Sequence, residues 1–191
     1  MVTIHQLISK PYQAQQTELH SRPKGYGGKG SKWADTVLDL IKRYEAWSVL
    51  DYGCGMGTLG KALRAASVPG LRIDEYDPAM AGSSMLPGFA DLVVCTDVLE
   101  HIEPDRLACV LSHISMLARK AAFLVVALDP ANKILSDGRN AHLIQQPPEG
   151  WESAIRSAGL RVVQLDGLIM PPHYNPEKRK KRWIAVVEPH D

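Results

Sequence analysis

The chain has 191 residues, enough for one sizeable core and too few for two ordinary domains. Hydrophobic residues make up 45% and charged residues 23%, which excludes a disordered chain. A formal net charge of +1 excludes a broad electrostatic pull on nucleic acid or membrane.

The first thirty residues are polar and end in Pro23-Lys24-Gly25-Tyr26-Gly27-Gly28-Lys29-Gly30. That density of glycine excludes a stable helix there and suits a loop, either a linker or a lid. The expected division is therefore an N-terminal segment 1–30 and a single domain 31–191. Ser31 is the expected N-cap of a first helix with Trp33, Val37, Leu40, Ile41 and Tyr44 along one stripe. Residues 47–52 read as a buried strand that breaks into Gly53-Cys54-Gly55-Met56-Gly57. A helix over 58–66 and a strand over 71–76 follow. The stretch 79–90 is too short and too rich in small residues for an ordinary helix-plus-strand crossover, so a reduced crossover is expected there. A strand over 91–96, a helix over 105–119 and a strand over 121–128 come next, and then a long polar loop over 129–148. A helix over 149–158 stops at Gly159, a suitable C-terminal cap. Strands over 161–170 and 182–187 close the chain as a hairpin through Pro171-Pro172. Strands alternating with helices imply a mostly parallel, doubly wound α/β sheet, with an antiparallel strand from the last hairpin.

Cys54, Cys95 and Cys109 are odd in number and match no CxxC spacing. They imply a reducing compartment without a disulfide framework or structural zinc. The histidines are scattered along the sequence, so no metal site is expected. Residues 1–6 do not read as a signal peptide, and no window approaches the ~18 apolar residues of a membrane span. The expected location is the cytoplasm.

Ligands of open α/β sheets bind beyond the carboxyl ends of the strands. The loop after Asp51-Tyr52 sits at such an end, and its glycines allow a close backbone approach. Gly55-x-Gly57-x-x-Gly60 formally fits a dinucleotide fingerprint, which alone is a weak match. Asp51, just ahead of the glycines, would disfavour a pyrophosphate. It suits the ammonium and sulfonium of S-adenosylmethionine. Asp77 lies about 20 residues after Gly57 at the next strand end, where a carboxylate can accept both ribose hydroxyls. Glu75 is the alternative if that strand ends earlier.

Val49-Leu50-Asp51-Tyr52-Gly53-Cys54-Gly55-Met56-Gly57 resembles the first motif of class I S-adenosylmethionine-dependent methyltransferases. Cys95-Thr96-Asp97-Val98-Leu99-Glu100-His101-Ile102 resembles the segment after strand four in many small members. The resemblance spans residues 31–187. It implies a Rossmann-like, seven-stranded sheet with a reversed last hairpin. It also implies Asp51, Gly53 and Gly55 around the methionine part and Asp77 on the ribose, with Cys54, Gly57, Thr96 and Asp97 among the cofactor-binding residues. The short stretch 79–90 departs from the family pattern, which places a helix there and an adenine-contacting acid after strand three. With Asp137-Gly138-Arg139-Asn140-Ala141-His142, the chain also resembles small stand-alone methyltransferases of phages and bacteria.

Three other groups are candidates for the acceptor side. Asp97, Glu100 and His101 follow strand four and read either as a helix start or as contacts to acceptor and cofactor. Arg139-Asn140-Ala141-His142 reads as a substrate clamp, with His142 taking the acceptor's proton; an imidazole near ~6.5 suits that task. Tyr26 would belong to the lid. Lys178-Arg179-Lys180-Lys181-Arg182 is read first as a solvated turn guarding an edge strand and second as a nucleic-acid contact. Cys54 is read as a small packed residue rather than a nucleophile. The expected function is direct methyl transfer from S-adenosylmethionine, with a small molecule as the favoured acceptor. The alternatives are a cofactor-binding regulator without catalysis and a nicotinamide-dependent oxidoreductase.

Overall fold

The computed structural model describes residues 3–21, 27–164 and 182–190. Six strands form one sheet in the order β2-β1-β3-β4-β6-β5. They are β1 (Ser48–Tyr52), β2 (Arg72–Tyr76), β3 (Ala90–Thr96), β4 (Ala118–Ala127), β5 (Leu160–Gln164) and β6 (Arg182–Pro189). The first four pair in parallel, and β6 runs antiparallel between β4 and β5. The expected reversed strand is therefore present. Residues 165–181, including Pro171-Pro172 and Lys178–Lys181, lie outside the described residues.

The central strands are apolar on both faces because helices cover both. On one face α3 (Ala34–Arg43) and α4 (Thr58–Ala65) pack Val37, Leu40, Leu59 and Leu63 against Val49, Val94 and Phe123. Trp33 is fully buried in this cluster and meets Phe123 edge-on at 5.5 Å. On the other, α5 (Leu107–Leu117) and α6 (Pro148–Ser157) place Val110, Leu111, Ile114, Trp151 and Ile155 against Leu50, Val93, Leu124 and Val187.

Among the described residues the sheet has six strands, not the seven that the family resemblance implies. Between β2 and β3 the chain makes only turns, with Ser83 N–H donating to the Met80 carbonyl at 2.9 Å and Asp77 N–H to the Ser83 carbonyl at 2.9 Å. A parallel crossover with its helix needs a dozen or more residues before any extra strand, and this stretch is too short. β2 is therefore an edge strand.

Two features differ from expectation near the N-terminus. Ser31 caps no helix: its N–H donates to Thr58 Oγ1 at 3.2 Å, and a 3-10 turn over Gly30–Trp33 leads into α3. Ahead of it lie two unexpected helices, α1 (Ile4–Leu7) and α2 (Lys10–Ser21). Leu7 joins the main core, and Ile8, Tyr12 and Leu19 pack with Leu135 and Ala141. The apolar stripe of α2 is interrupted by Gln16, itself buried, so its periodicity is hidden by a polar residue.

Candidate active site

The carboxyl ends of β1, β2 and β3 open into a cleft of about 710 Å³. Its floor is the loop after β1. Gly53, Gly55 and Gly57 all have left-handed backbones, at φ of 80°, 50° and 64°. A Cβ on Gly53 would collide with Val98, and one on Gly55 would stand 2.6 Å from the Gly27 carbonyl oxygen. Both positions need glycine for the turn and for the close approach. Gly57 instead caps α4 and is not part of the cleft wall. The N–H groups of Gly53 and Cys54 both donate to the Tyr76 carbonyl, at 2.7 and 3.1 Å, and so lock the loop onto the end of β2.

Asp77 lies just past that end, and the structure settles which acid faces the cleft. Glu75 turns away, against Gly57 and Gly60, and pairs with Arg64 at 3.2 Å. Gly60 is a packing glycine, since a Cβ there would collide with Glu75. Asp77 lines the cleft and accepts from Gly55 N–H at 3.0 Å and Ala79 N–H at 2.9 Å. A carboxylate has about four lone-pair sites, so acceptor capacity remains for a ligand. Asp51 is buried on the same wall. Its burial, with Glu75 and Asp77 adding to it and Arg64 opposing, pushes its carboxyl up to about 7. Such a concentration of negative charge fits a ligand that brings a cation. Cys54 is buried, and burial pushes its thiol up to about 12, so it packs and does not react.

Further lining comes from the turn after β3 and the loop after β4. His101 and His142 stand edge to face, with ring centroids 4.8 Å apart. His101 Nδ1 donates to the Ala141 carbonyl at 2.7 Å and His142 Nδ1 to the Asp129 carbonyl at 2.5 Å. A carbonyl can only accept, so both rings carry their hydrogen on Nδ1 when neutral. Burial, reinforced by His142, lowers His101 to about 4. Glu100 is fully buried, accepts from Ala127 N–H at 3.0 Å, and is pushed up to about 8 by burial and by Asp97. Glu100, His101 and His142 each offer a ligand atom within 4.8 Å of the others, so the three could hold a cation. Histidines scattered in sequence are thus gathered in space.

Asp97 has a left-handed backbone at φ 55° and lines the cleft. Its carboxylate takes Lys32 Nζ at 2.6 Å and Arg182 Nη2 at 3.0 Å. Burial alone would raise its pKa, but Lys32 and Arg182 outweigh this and hold it below the ordinary range. Asp97 is expected to contact acceptor or cofactor, and it lines the cleft, but its carboxylate also ties together the Gly30–Trp33 turn, the end of β3 and β6, and held by two cations it would be a poor base. Thr96 lines the cleft beside it.

The expected clamp divides. His142 faces the cleft, whereas Arg139 and Asn140 do not line it. Arg139 is exposed and pairs with Asp137 at 2.6 Å. Asn140 Oδ1 accepts from the N–H groups of Ala131 and His142, both at 2.9 Å, and its Nδ2 donates to the Ala131 carbonyl at 2.8 Å. Asn140 thereby shapes the loop that carries His142 instead of touching a substrate. Tyr26 lies outside the described residues. Sequence reasoning missed Tyr12, Gln16 and His20 of α2, which line the cleft. Their spacing of four is the one signal that could have found them.

The sheet order and the glycine loop define a Rossmann-like, class I methyltransferase fold. A methyltransferase-domain family model matches residues 21–165, and the chain belongs to that family. It is 25% identical to the ubiquinone biosynthesis O-methyltransferase of Thiobacillus denitrificans (strain ATCC 25259 / T1), a match covering 82% of this chain and 79% of the relative. Among solved structures it resembles a 1,6-didemethyltoxoflavin-N1-methyltransferase from Burkholderia thailandensis, solved with S-adenosylhomocysteine, at TM-score 0.64 and 16% identity over 100% of this chain and 92% of the other. It also resembles mitomycin 7-O-methyltransferase at TM-score 0.63 and 18% identity, where it covers 93% of itself and only 60% of that longer chain. The dinucleotide reading of the glycines is therefore set aside. Among the described residues no helix is long and apolar enough to cross a membrane.

Proposed function

We propose that this methyltransferase moves the methyl group of S-adenosylmethionine to a hydroxyl oxygen of a small acceptor, with His142 receiving the hydroxyl proton. The observation that carries the reading is the pair of imidazoles, fixed by backbone carbonyls, that line the same cleft as Asp51 and Asp77. The glycines at which a Cβ would collide and the cluster of acids fit the cofactor. Asp51, Gly53 and Gly55 would hold its amino-acid end, and Asp77 its ribose. When bound, the cofactor supplies a methyl group made electrophilic by its sulfonium.

The chain then has three tasks. Tyr12, Val98, Ile102 and Ala131 line the cleft and exclude water from the acceptor. His142 holds its hydrogen on Nδ1 and so takes a proton at Nε2. His101, lowered to about 4, is too weak a base to compete and instead orients the acceptor. Glu100, near 8, is protonated at neutral pH and can donate to an acceptor oxygen.

Oxygen is favoured as the reacting atom because the sequence relative is named an O-methyltransferase. A small acceptor is favoured because α2 and the 129–133 loop, packed together, both border the cleft and narrow it. The test is incubation of the purified protein with isotopically labelled S-adenosylmethionine and a panel of phenols, catechols and aliphatic alcohols, read by mass spectrometry. A labelled methyl ether, lost in His142→Ala, is the expected result. Cofactor binding without any methylated product from the panel or a cell extract would transfer support to a regulator that binds the cofactor without catalysis.

A further inference from the structure

The crossover between β2 and β3 is too short to build the wall that a helix and strand would supply beside the nucleoside. Helix α2 is fastened to what remains of it. Gln13 Nε2 donates to the Pro78 carbonyl at 2.6 Å, and Thr17 Oγ1 to the Ala79 carbonyl at 3.0 Å. An adjoining face of the helix presents Tyr12, Gln16 and His20 to the cleft at successive turns. Tyr12 OH donates to the His101 carbonyl at 2.6 Å, which pins one end of this row to the acceptor side. His20 Nε2 lies 3.8 Å from Asp77 Oδ2, which places the other end beside the acid at the end of β2. Gln16 lies between them, only 7% exposed; its amide acts on the neighbouring Tyr12 hydroxyl, but its Nε2 completes no well-formed hydrogen bond among the described residues. A buried amide donor that completes no hydrogen bond is destabilising, so its retention on a cleft wall points to a ligand that satisfies it.

Resting on the cofactor assignment above, we propose that α2 is part of the cofactor site: His20 contacts the ribose beside Asp77, and Gln16 gives its amide N–H to the same nucleoside. The N-terminal helix thereby takes over a wall that the shortened crossover cannot provide. Gly27 belongs to the same arrangement. A Cβ there would stand 2.8 Å from His20 Cε1, and the Gly27 carbonyl accepts from Met56 N–H at 3.1 Å. The glycine loop, Gly27 and His20 therefore stack directly on one another.

The test uses calorimetric binding of two ligands to the full chain. S-adenosylhomocysteine carries both the nucleoside and the amino-acid end, whereas 5′-methylthioadenosine carries the nucleoside alone. His20→Ala and Gln16→Leu are each expected to weaken both ligands by about tenfold and by the same factor, the loss of one hydrogen bond to a buried partner. Asp51→Asn should weaken only the first ligand. Thermal melting establishes that each variant is folded, and Gln16→Met replaces Gln16→Leu if the latter is not. Wild-type affinity for both ligands in folded His20 and Gln16 variants would overturn the proposal and leave the cofactor assignment intact. No binding of either ligand to the wild type would overturn the cofactor assignment itself.

Discussion

The two halves of the cleft are built on different principles. The donor half is local: Asp51, Gly53 and Gly55 come from one strand end and its loop, and Asp77 from the neighbouring strand end, locked to the loop by Tyr76. The acceptor half is assembled from the Tyr12 end of α2, the turn after β3, the 129–133 loop and His142, and side-chain and backbone hydrogen bonds hold these together. A local half depends on backbone conformation and is broken by adding an atom. An assembled half depends on partners and is broken by removing one.

That contrast can be tested substitution by substitution. The largest effect is expected on the assembled side. His142→Ala should lower kcat by about 10²- to 10⁴-fold, the range of general base catalysis, while calorimetry shows unchanged affinity for S-adenosylhomocysteine. An equal loss of cofactor affinity would place His142 in the donor half. On the local side, Gly55→Ala adds a Cβ 2.6 Å from the Gly27 carbonyl at a left-handed position. Left-handed strain alone is roughly 1–2 kcal/mol, so affinity for S-adenosylhomocysteine should fall at least ~10-fold. Normal binding by this variant would mean that the loop relaxes freely.

The donor half should also show a pH signature. Asp51 is pushed up to about 7 by burial, Glu75 and Asp77, with Arg64 opposing. Cofactor binding brings a cation and favours the ionised carboxylate, so the bound pKa falls below the free one. Below about 7 binding must expel a proton, and affinity should drop by up to about tenfold per pH unit. Above 7 it should level off. Calorimetry of S-adenosylhomocysteine binding between pH 5.5 and 8.5 should show this slope in the wild type and lose it in Asp51→Asn; the same slope in both would assign it elsewhere. The smallest effect is expected at Arg139, whose exposed pair with Asp137 lies outside the cleft. Exposed ion pairs contribute little, so Arg139→Ala should change kcat/KM less than about twofold in steady-state assays.

The donor half was also the legible half. Asp51, the glycines and the acid past β2 are contiguous signals, and buried parallel strands are apolar runs that a sequence displays directly. The reduced crossover was legible too, because its length alone is diagnostic; the edge position of β2 follows from it. The acceptor half was only partly legible. His101 and His142 could each be named as candidates, but their meeting at 4.8 Å depends on the path of two loops. Arg139 and Asn140 looked equivalent to His142 in sequence, and only the loop's internal hydrogen bonds separate them. The position of Asp97 marks it as a site residue, yet its pairing with Lys32 and Arg182, distant in the chain, is invisible in the sequence. Helix α2 escaped because its buried row includes Gln16, a residue whose polarity argues against burial until its surroundings are known.

A crystal structure of the chain with S-adenosylhomocysteine bound tests the central claim most directly. The account predicts the ribose hydroxyls on Asp77, the amino-acid end over Asp51, Gly53 and Gly55, and the sulfur turned toward His142. A ribose held elsewhere, or a sulfur facing away from the His101–His142 wall, would contradict it.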